Sequence, residues 1–312
     1  MNAADDEARP LGASGAAQRD RPERLALLGV VANAGLAAVK LLAGLLGQSF
    51  ALVADAVESL VDIAGSMLIW GALRYGAKPP DENHPFGHGK IEPLAAIAVA
   101  LLIVAAGVGI AVEAIRQLLQ PQDVPAWWTL VVLVVVVAVK ETLFRVQRRA
   151  SKRAHSSAGR ADAWHHRSDA ITSALAFLGI AASLVGGPEW AWADEGAALL
   201  ASAVIISNGT MLSREPFAEL MDTQAPSVAR IAEEEATAVE GVRAVERCEA
   251  RRSGRGYRIV MHAEVDGAMT VLASHALTGA IKSRVREREP AVDTVLVHIE
   301  PHEPATDANS RS

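Results

Sequence analysis

Six apolar runs decide most of what this chain can fold into. They lie near residues 25–46, 51–75, 91–119, 126–146, 163–185 and 191–212. About 20 helical residues cross the hydrocarbon core of a bilayer, and lipid offers no water to a bare peptide group. Runs of this length are therefore expected as membrane-crossing helices. Gly47 and Gln48 break the first from the second, Pro121 and Pro125 the third from the fourth, and Gly186, Gly187 and Pro188 the fifth from the sixth. The third run is longer than a crossing needs and is expected to tilt or protrude.

Charge orients the runs. Arg19, Arg21 and Arg24 precede the first; Arg74, Lys78 and Lys90 follow the second; Arg145, Arg148, Arg149, Lys152, Arg153 and Arg160 lie between the fourth and fifth; Arg214 follows the sixth. The opposite connections carry Gln48, then Gln122 and Asp123, then Glu189, Asp194 and Glu195, with Arg116 the one cation near them. The positive-inside rule then puts both termini of a multi-pass membrane protein in the cytoplasm. No apolar core follows a basic start within the first 24 residues, so no cleavable leader is expected. A net charge of −6 leaves no broad basic surface, and nucleic acid is excluded as a partner. Cys248 is the only cysteine, so no internal disulfide forms; it is expected as a small buried residue in a strand.

Beyond about residue 222 the pattern changes. PSVARIAEEEATAVEG reads as a helix closed by Gly241, AVERCEAR and YRIVMHAEV as strands around RSGRG, TVLASHALTGAIKSRVRERE as a second helix and TVLVHIE as a third strand. The expected fold is a mainly α membrane protein of six transmembrane helices plus a C-terminal cytoplasmic α+β domain of ferredoxin-like αββαβ order. The expected boundaries are 1–22 for a disordered tail, 23–215 for the membrane domain, 216–302 for the cytoplasmic metal-binding and dimerisation domain and 303–312 for a second disordered tail.

Against this apolar background the ionisable residues stand out. Glu58 and Asp62 are four apart in the second run, and His165 and Asp169 are four apart in the fifth. Residues four apart on a helix differ by ~40° in direction and ~6 Å along the axis, so each pair shows its polar atoms on one face. Charge at mid-bilayer is costly unless it is partnered or wetted, and the cations within the two runs are Arg74, at the end of the second, and Arg167, two residues from His165 and so off the His165/Asp169 face. Three carboxylates and one imidazole suit a borderline divalent ion such as zinc, iron(II), manganese or cadmium. Asp55, one turn before Glu58 on the same face, is a ligand, an outer hydrogen-bond acceptor or a water-facing relay. His166 lies off the His165/Asp169 face and reads as a polar side chain near the membrane surface.

Asp81, His84 and His88 lie in PDENHPFGHGKIEP, where Pro85 and Gly87 oppose a continuous helix, so any shared ligand must be gripped from a turn. In the tail, His262, His275, His298, Glu300 and His302 are scattered. His262 and Glu264 share one face of their strand, and His298 and Glu300 one face of theirs. With Glu246 on the neighbouring strand they are candidates for a cytoplasmic metal site.

These motifs carry a resemblance. The acid-x-x-x-Asp of the second run, HPFGHGK in the following loop and HHRSD in the fifth make the chain similar to the cation diffusion facilitators, and most nearly to the bacterial zinc/iron(II) efflux pumps, from about Leu25 to Pro301. The resemblance implies a transport site of Glu58, Asp62, His165 and Asp169, a loop site of Asp81, His84 and His88, and a cytoplasmic binuclear site of His262, His275, His298 and Glu300. It also implies a homodimer, with a Lys–Asp contact at Lys90 and Asp222. This chain departs by Glu58 where close relatives have Asp and zinc-selective ones often His, by Glu246 where a relative has His, and by Glu300 where it has Asp.

The function expected is then a secondary transporter, not an enzyme, which exports divalent transition metals (zinc, iron(II), and also manganese, cadmium or cobalt) in exchange for protons. Lipid, protons and a second copy would be its partners. A membrane-embedded zinc hydrolase is the weaker alternative, since the chain has no His-Glu-x-x-His helix. A metal-gated channel or sensor is the other, which proton dependence of flux would separate.

Overall fold

A computed structural model describes residues 33–120, 124–153, 157–254 and 256–302; for 140, 143–153 and 157–171 it describes the backbone alone. The expected tails, 1–22 and 303–312, and the start of the first run lie outside the described residues. The chain divides into two compact units, Met1–Met67 with Leu102–Gly209, and Leu68–Leu101 with Thr210–Ser312.

The six apolar runs correspond to six helices among the described residues: α1 (Asn33–Leu46), α2 (Phe50–Gly76), α3 (Ile91–Leu118), α4 (Trp128–Arg153), α5 (Ser157–Gly186) and α6 (Trp192–Leu212). A 3-10 turn, Gly187–Trp190, joins the last two, and a short α7 (Arg214–Leu220) follows. Within the described residues, Ile91–Leu118 and Trp192–Leu220 alone are long and apolar enough to cross a membrane by composition. α2 carries Asp55, Glu58 and Asp62 within three turns.

In the first unit, Leu52, Leu133 and Ile180 from α2, α4 and α5 are fully buried, with Ala198 and Ile205 of α6 beside them. Close approaches are made at small residues. A Cβ on Gly47 would stand 2.1 Å from Thr129 Cγ2, so glycine is what lets the end of α1 meet the start of α4, where the Ala126 N–H donates to the Gly47 carbonyl at 2.9 Å. A Cβ on Gly179 would lie 2.3 Å from that of Ala197, which fixes how closely α5 and α6 pack. Leu46, Val131, Val134, Leu178 and Leu200 turn outward and are exposed, as a lipid-facing surface requires.

In the second unit, α8 (Pro226–Thr237), β1 (Val242–Ser253), β2 (Gly256–Val265), α9 (Val271–Arg288) and β3 (Val292–Pro301) follow the expected αββαβ order. The sheet order is β1-β2-β3; β1 pairs with β2 antiparallel, and β2 with β3 parallel across the α9 crossover. Ile259, Met261 and Ala263 alternate inward from β2 onto Ala232 and Ala236 of α8 and Ile281 and Val285 of α9. Met261 is fully buried, and truncating such a side chain to alanine costs about 2–5 kcal/mol. Pro226 opens α8 and the Thr270 hydroxyl caps α9 by accepting from Ala273 N–H.

Candidate metal sites

Glu58 and Asp62 stand half-buried on α2, one turn apart, and Ser66 Oγ donates to the Asp62 carbonyl at 2.9 Å. His165 and Asp169 fall on the continuous helix α5, as does His166, but the side chains of all three lie outside the described residues. What joins α2 and α5 is a buried polar cluster that the sequence reading missed. Lys40 of α1 is fully buried, with Nζ 2.9 Å from Asp55 Oδ2. Its hydrogen bonds go to the Asp55 carbonyl at 2.8 Å and Ser59 Oγ at 2.6 Å. Ser173 of α5 donates to Asp55 Oδ1 at 2.8 Å. Asp55 therefore has both carboxylate oxygens engaged by protein groups. The cation comes from the first run, not from the second or fifth.

A second carboxylate organises the other end of α2. Asp194 of α6, fully buried, accepts from Ser49 Oγ at 2.9 Å and from the N–H groups of Phe50 at 2.5 Å and Ala51 at 3.2 Å. The donors are orphan groups at the helix start, so a residue 144 positions away acts as the N-cap.

The loop after α2 brings Asp81, His84 and His88 together, with one ligand atom of each within 4.8 Å of the others. Asp81 Oδ1 accepts from the backbone N–H of Asn83 and His84, and His84 Nδ1 lies 3.1 Å from the same oxygen. His88 Nε2 lies 3.3 Å from Asp81 Oδ2. Gly87, at φ 80°, makes the left-handed turn that folds the second histidine back over the first, their rings 4.4 Å apart. The His84 backbone N–H, then the two imidazoles, hold the Asp81 carboxyl below the usual range. His88 is buried, and its Nδ1 has no hydrogen-bond partner among the described residues.

In the C-terminal domain Glu246, His262 and Glu300 gather on the sheet face away from the helices, again within 4.8 Å. His262 and His298 are register partners, as are Glu264 and Glu300. His262 Nδ1 meets Glu300 Oε1 at 2.8 Å, and His298 Nε2 lies 3.4 Å from the same oxygen. Glu246 joins them because the β1 register shifts between Val245 and Arg247; the bulge re-aims its side chain, and sequence alternation could not have foreseen it. Glu246 shares a hydrogen bond with Glu300, which raises its own carboxyl and lowers that of Glu300. His302 lies apart, at 2.5 Å from Glu264, and His275 is exposed on α9 outside both groups. The Cys248 thiol is half-buried, donates to the Ala229 carbonyl and is pushed up to about 11 by burial, so it is a poor nucleophile at neutral pH.

Lys90 meets Asp222 at 2.8 Å within a single chain, and Arg251 also pairs with Asp222. Lys90 further donates to the Glu219 carbonyl. Arg258 donates to the Phe86 carbonyl and its guanidinium covers the Phe86 ring, so the α2–α3 loop is tied to β2.

Two family models match this architecture. Residues 26–221 match the cation efflux transmembrane domain, and residues 227–302 match the cytoplasmic domain of cation efflux proteins, the ZT_dimer domain. The chain belongs to the cation efflux (cation diffusion facilitator) family. This cation efflux protein is therefore built into a membrane and is a transport protein, not an enzyme. It is 30% identical over 296 residues to metal tolerance protein C1 of Arabidopsis thaliana, covering 89% of this chain but 62% of that one. It is 29% identical over 296 residues to the manganese efflux system protein MneP of Bacillus subtilis (92% and 99%). It is 31% identical over 259 residues to the cation-efflux pump FieF of Pectobacterium carotovorum (81% and 84%). Among solved structures, the nickel form of a MamM CTD variant is 28% identical, covering 25% of this chain and 99% of that one at a TM-score of 0.24.

Proposed function

We propose that this protein exports a divalent transition metal from the cytoplasm in exchange for protons. Zinc and iron(II) lead as cargo, with manganese, cadmium and cobalt also accepted. Glu58, Asp62, His165 and Asp169 form the transport site. The observation that carries this reading is the Ser173–Asp55 hydrogen bond, which ties α5 to α2 within one turn of Asp169 on one helix and of Glu58 on the other. Metal binding needs the carboxylates ionised and the imidazole neutral, so protons entering from the outer side compete with the metal and release it. Rocking of the helices around a fixed midplane site gives alternating access.

Both termini are cytoplasmic in this reading, and the protein works as a homodimer in a bacterial inner membrane. Asp81, His84 and His88 bind metal at the cytoplasmic end of α2. His262, His298, Glu300 and Glu246 bind it in the C-terminal domain as a regulatory site, with His275 completing that site across the dimer. The relatives named for manganese efflux and for cation efflux support the divalent cargo.

The test is Asp62→Ala in proteoliposomes. Metal flux should fall to background, while size exclusion shows an unchanged dimer. Normal flux from the folded variant would refute the site. In the wild type, reversing an imposed pH gradient should reverse net metal flux; a channel would ignore it.

A further inference from the structure

Lys40, Asp55, Ser59 and Ser173 form a largely buried, charged cluster outside the proposed ligand set. Lys40 and Ser173 are fully buried and Asp55 nearly so. A buried ion pair is a weak device for stability, because apolar side chains of the same volume usually do as well or better. Its use lies in polar contacts that can be made and broken as a unit.

Position relates the cluster to the proposed ligands. Asp55 precedes Glu58 by three residues on α2, and Ser173 follows Asp169 by four on α5. By either count the cluster lies ~4–6 Å from the ligands along the helix axis. It lies on the same side in both cases, toward the α1–α2 connection at Gly47 and the α5–α6 connection at Gly187. Lys40 holds Asp55 with a charge and two hydrogen bonds to the same stretch of α2. Ser173 reaches Asp55 with one hydroxyl. Thr172 is buried beside it. Among the described residues, Lys40 binds α2 with a charge and two hydrogen bonds, and Ser173 Oγ to Asp55 Oδ1 is the hydrogen bond seen between α2 and α5.

We propose that the Asp55–Ser173 hydrogen bond, with Asp55 held in place by Lys40, is the outer gate of the transport path. While it is made, α2 and α5 close over the site on the side away from the cytoplasm. Cargo leaves outward when Ser173 parts from Asp55, and Lys40 keeps the carboxylate from following or from capturing the metal. This rests on the transport reading above.

The test reads the gate without cargo. In full-length protein carrying Cys248→Ser and Ala176→Cys, the new thiol sits at a buried position three residues beyond Ser173 on α5. A membrane-impermeant maleimide is added outside sealed right-side-out vesicles, without metal. Labelling should be slow in this parent. Ser173→Ala should speed it about ten-fold, equivalent to ~1.4 kcal/mol in the closed-to-open balance. Ser173→Thr, which keeps the hydroxyl, should stay near the parent rate, and Lys40→Met should label at least as fast as Ser173→Ala. An unchanged rate in a folded Ser173→Ala protein overturns the gate, as does a Thr variant that behaves like Ala. If instead the transport reading is wrong, the parent will fail to move zinc or manganese in proteoliposomes whatever the labelling shows.

Discussion

Removing the carboxylate of Asp194 should loosen α2 at its root. Asp194 receives three hydrogen bonds, from the Ser49 hydroxyl and the Phe50 and Ala51 amides. A hydrogen bond to a charged group contributes ~1.5–3 kcal/mol, and a lost N-cap typically costs ~1 kcal/mol. Three such bonds sum to roughly 5 kcal/mol or more, but the carboxylate is buried and its removal relieves a desolvation cost of several kcal/mol. The difference for Asp194→Ala is then about 3 kcal/mol, with two helix-end N–H groups left unmet. Asp194→Asn behaves differently. Its amide oxygen can accept from Phe50 and Ala51 while its NH2 donates to Ser49 Oγ, which already accepts from Leu52 N–H and has a second lone pair. All three links persist without the charge, and the loss should be about 1 kcal/mol. Thermal unfolding of the detergent-solubilised full-length protein checks this. At ~2–4 °C per kcal/mol for a chain of this size class, alanine should lower Tm by about 6–12 °C and asparagine by a third of that. If asparagine is as damaging as alanine, the negative charge at the helix start matters and the hydrogen-bond geometry does not. If alanine costs under about 0.5 kcal/mol, the cap is idle.

Three further outcomes follow from the sites. Asp222 sits at φ 53°, a left-handed conformation asparagine tolerates, so Asp222→Asn isolates the charge. The Lys90 hydrogen bond holds this carboxyl below its ordinary 3.8, so its stabilisation is complete above that value and lost as pH falls through the folded-state value. The stability gap between wild type and Asp222→Asn should be under ~1 kcal/mol, flat from about pH 5 to 8, and absent well below 3.8, by thermal melts across pH. Glu58→His replaces an oxygen by a nitrogen and softens the proposed transport site, so it should shift relative flux toward zinc and away from manganese, whereas Glu58→Asp keeps the native preference; an unchanged zinc-to-manganese ratio in a working histidine variant counts against ligand hardness. His262→Ala with His298→Ala should lower the number of metals bound, by elemental analysis, and leave residual transport; unchanged stoichiometry makes these ordinary surface histidines.

The order of elements was legible because it depends on local signals. Apolar run length marked the helices, Gly47 and the Gly186–Pro188 stretch marked breaks, and period-two alternation in YRIVMHAEV put His262 and Glu264 on one face, as they stand. Contacts between distant residues were not legible. α4 runs on through the basic stretch to Arg153, past the expected end near 146, because Lys and Arg are good helix formers and nothing there stops the helix. The Glu246 bulge shifts register by one residue, which alternation cannot reveal. Asp194 looked like a loop charge on the outer side; its role depends on Ser49, 145 residues away.

Charge weighs against Asp55 as a metal ligand. A ligand must offer an oxygen to the cargo, yet Oδ1 of Asp55 accepts from Ser173 and Oδ2 faces the Lys40 ammonium. Taking either oxygen would strand a buried lysine or break the α2–α5 link, and a stranded buried charge costs several kcal/mol. Asp55 and Lys40 together carry no net charge, so they add none to that of the four proposed ligands. Three carboxylates and a neutral imidazole exceed the charge of one divalent ion by one unit. In a low-dielectric setting that excess favours holding a proton at the site alongside the metal or in its place. That charge balance supports the proposed exchange of metal against protons, with the buried Lys40–Asp55 pair keeping a fourth carboxylate out of the proposed ligand set.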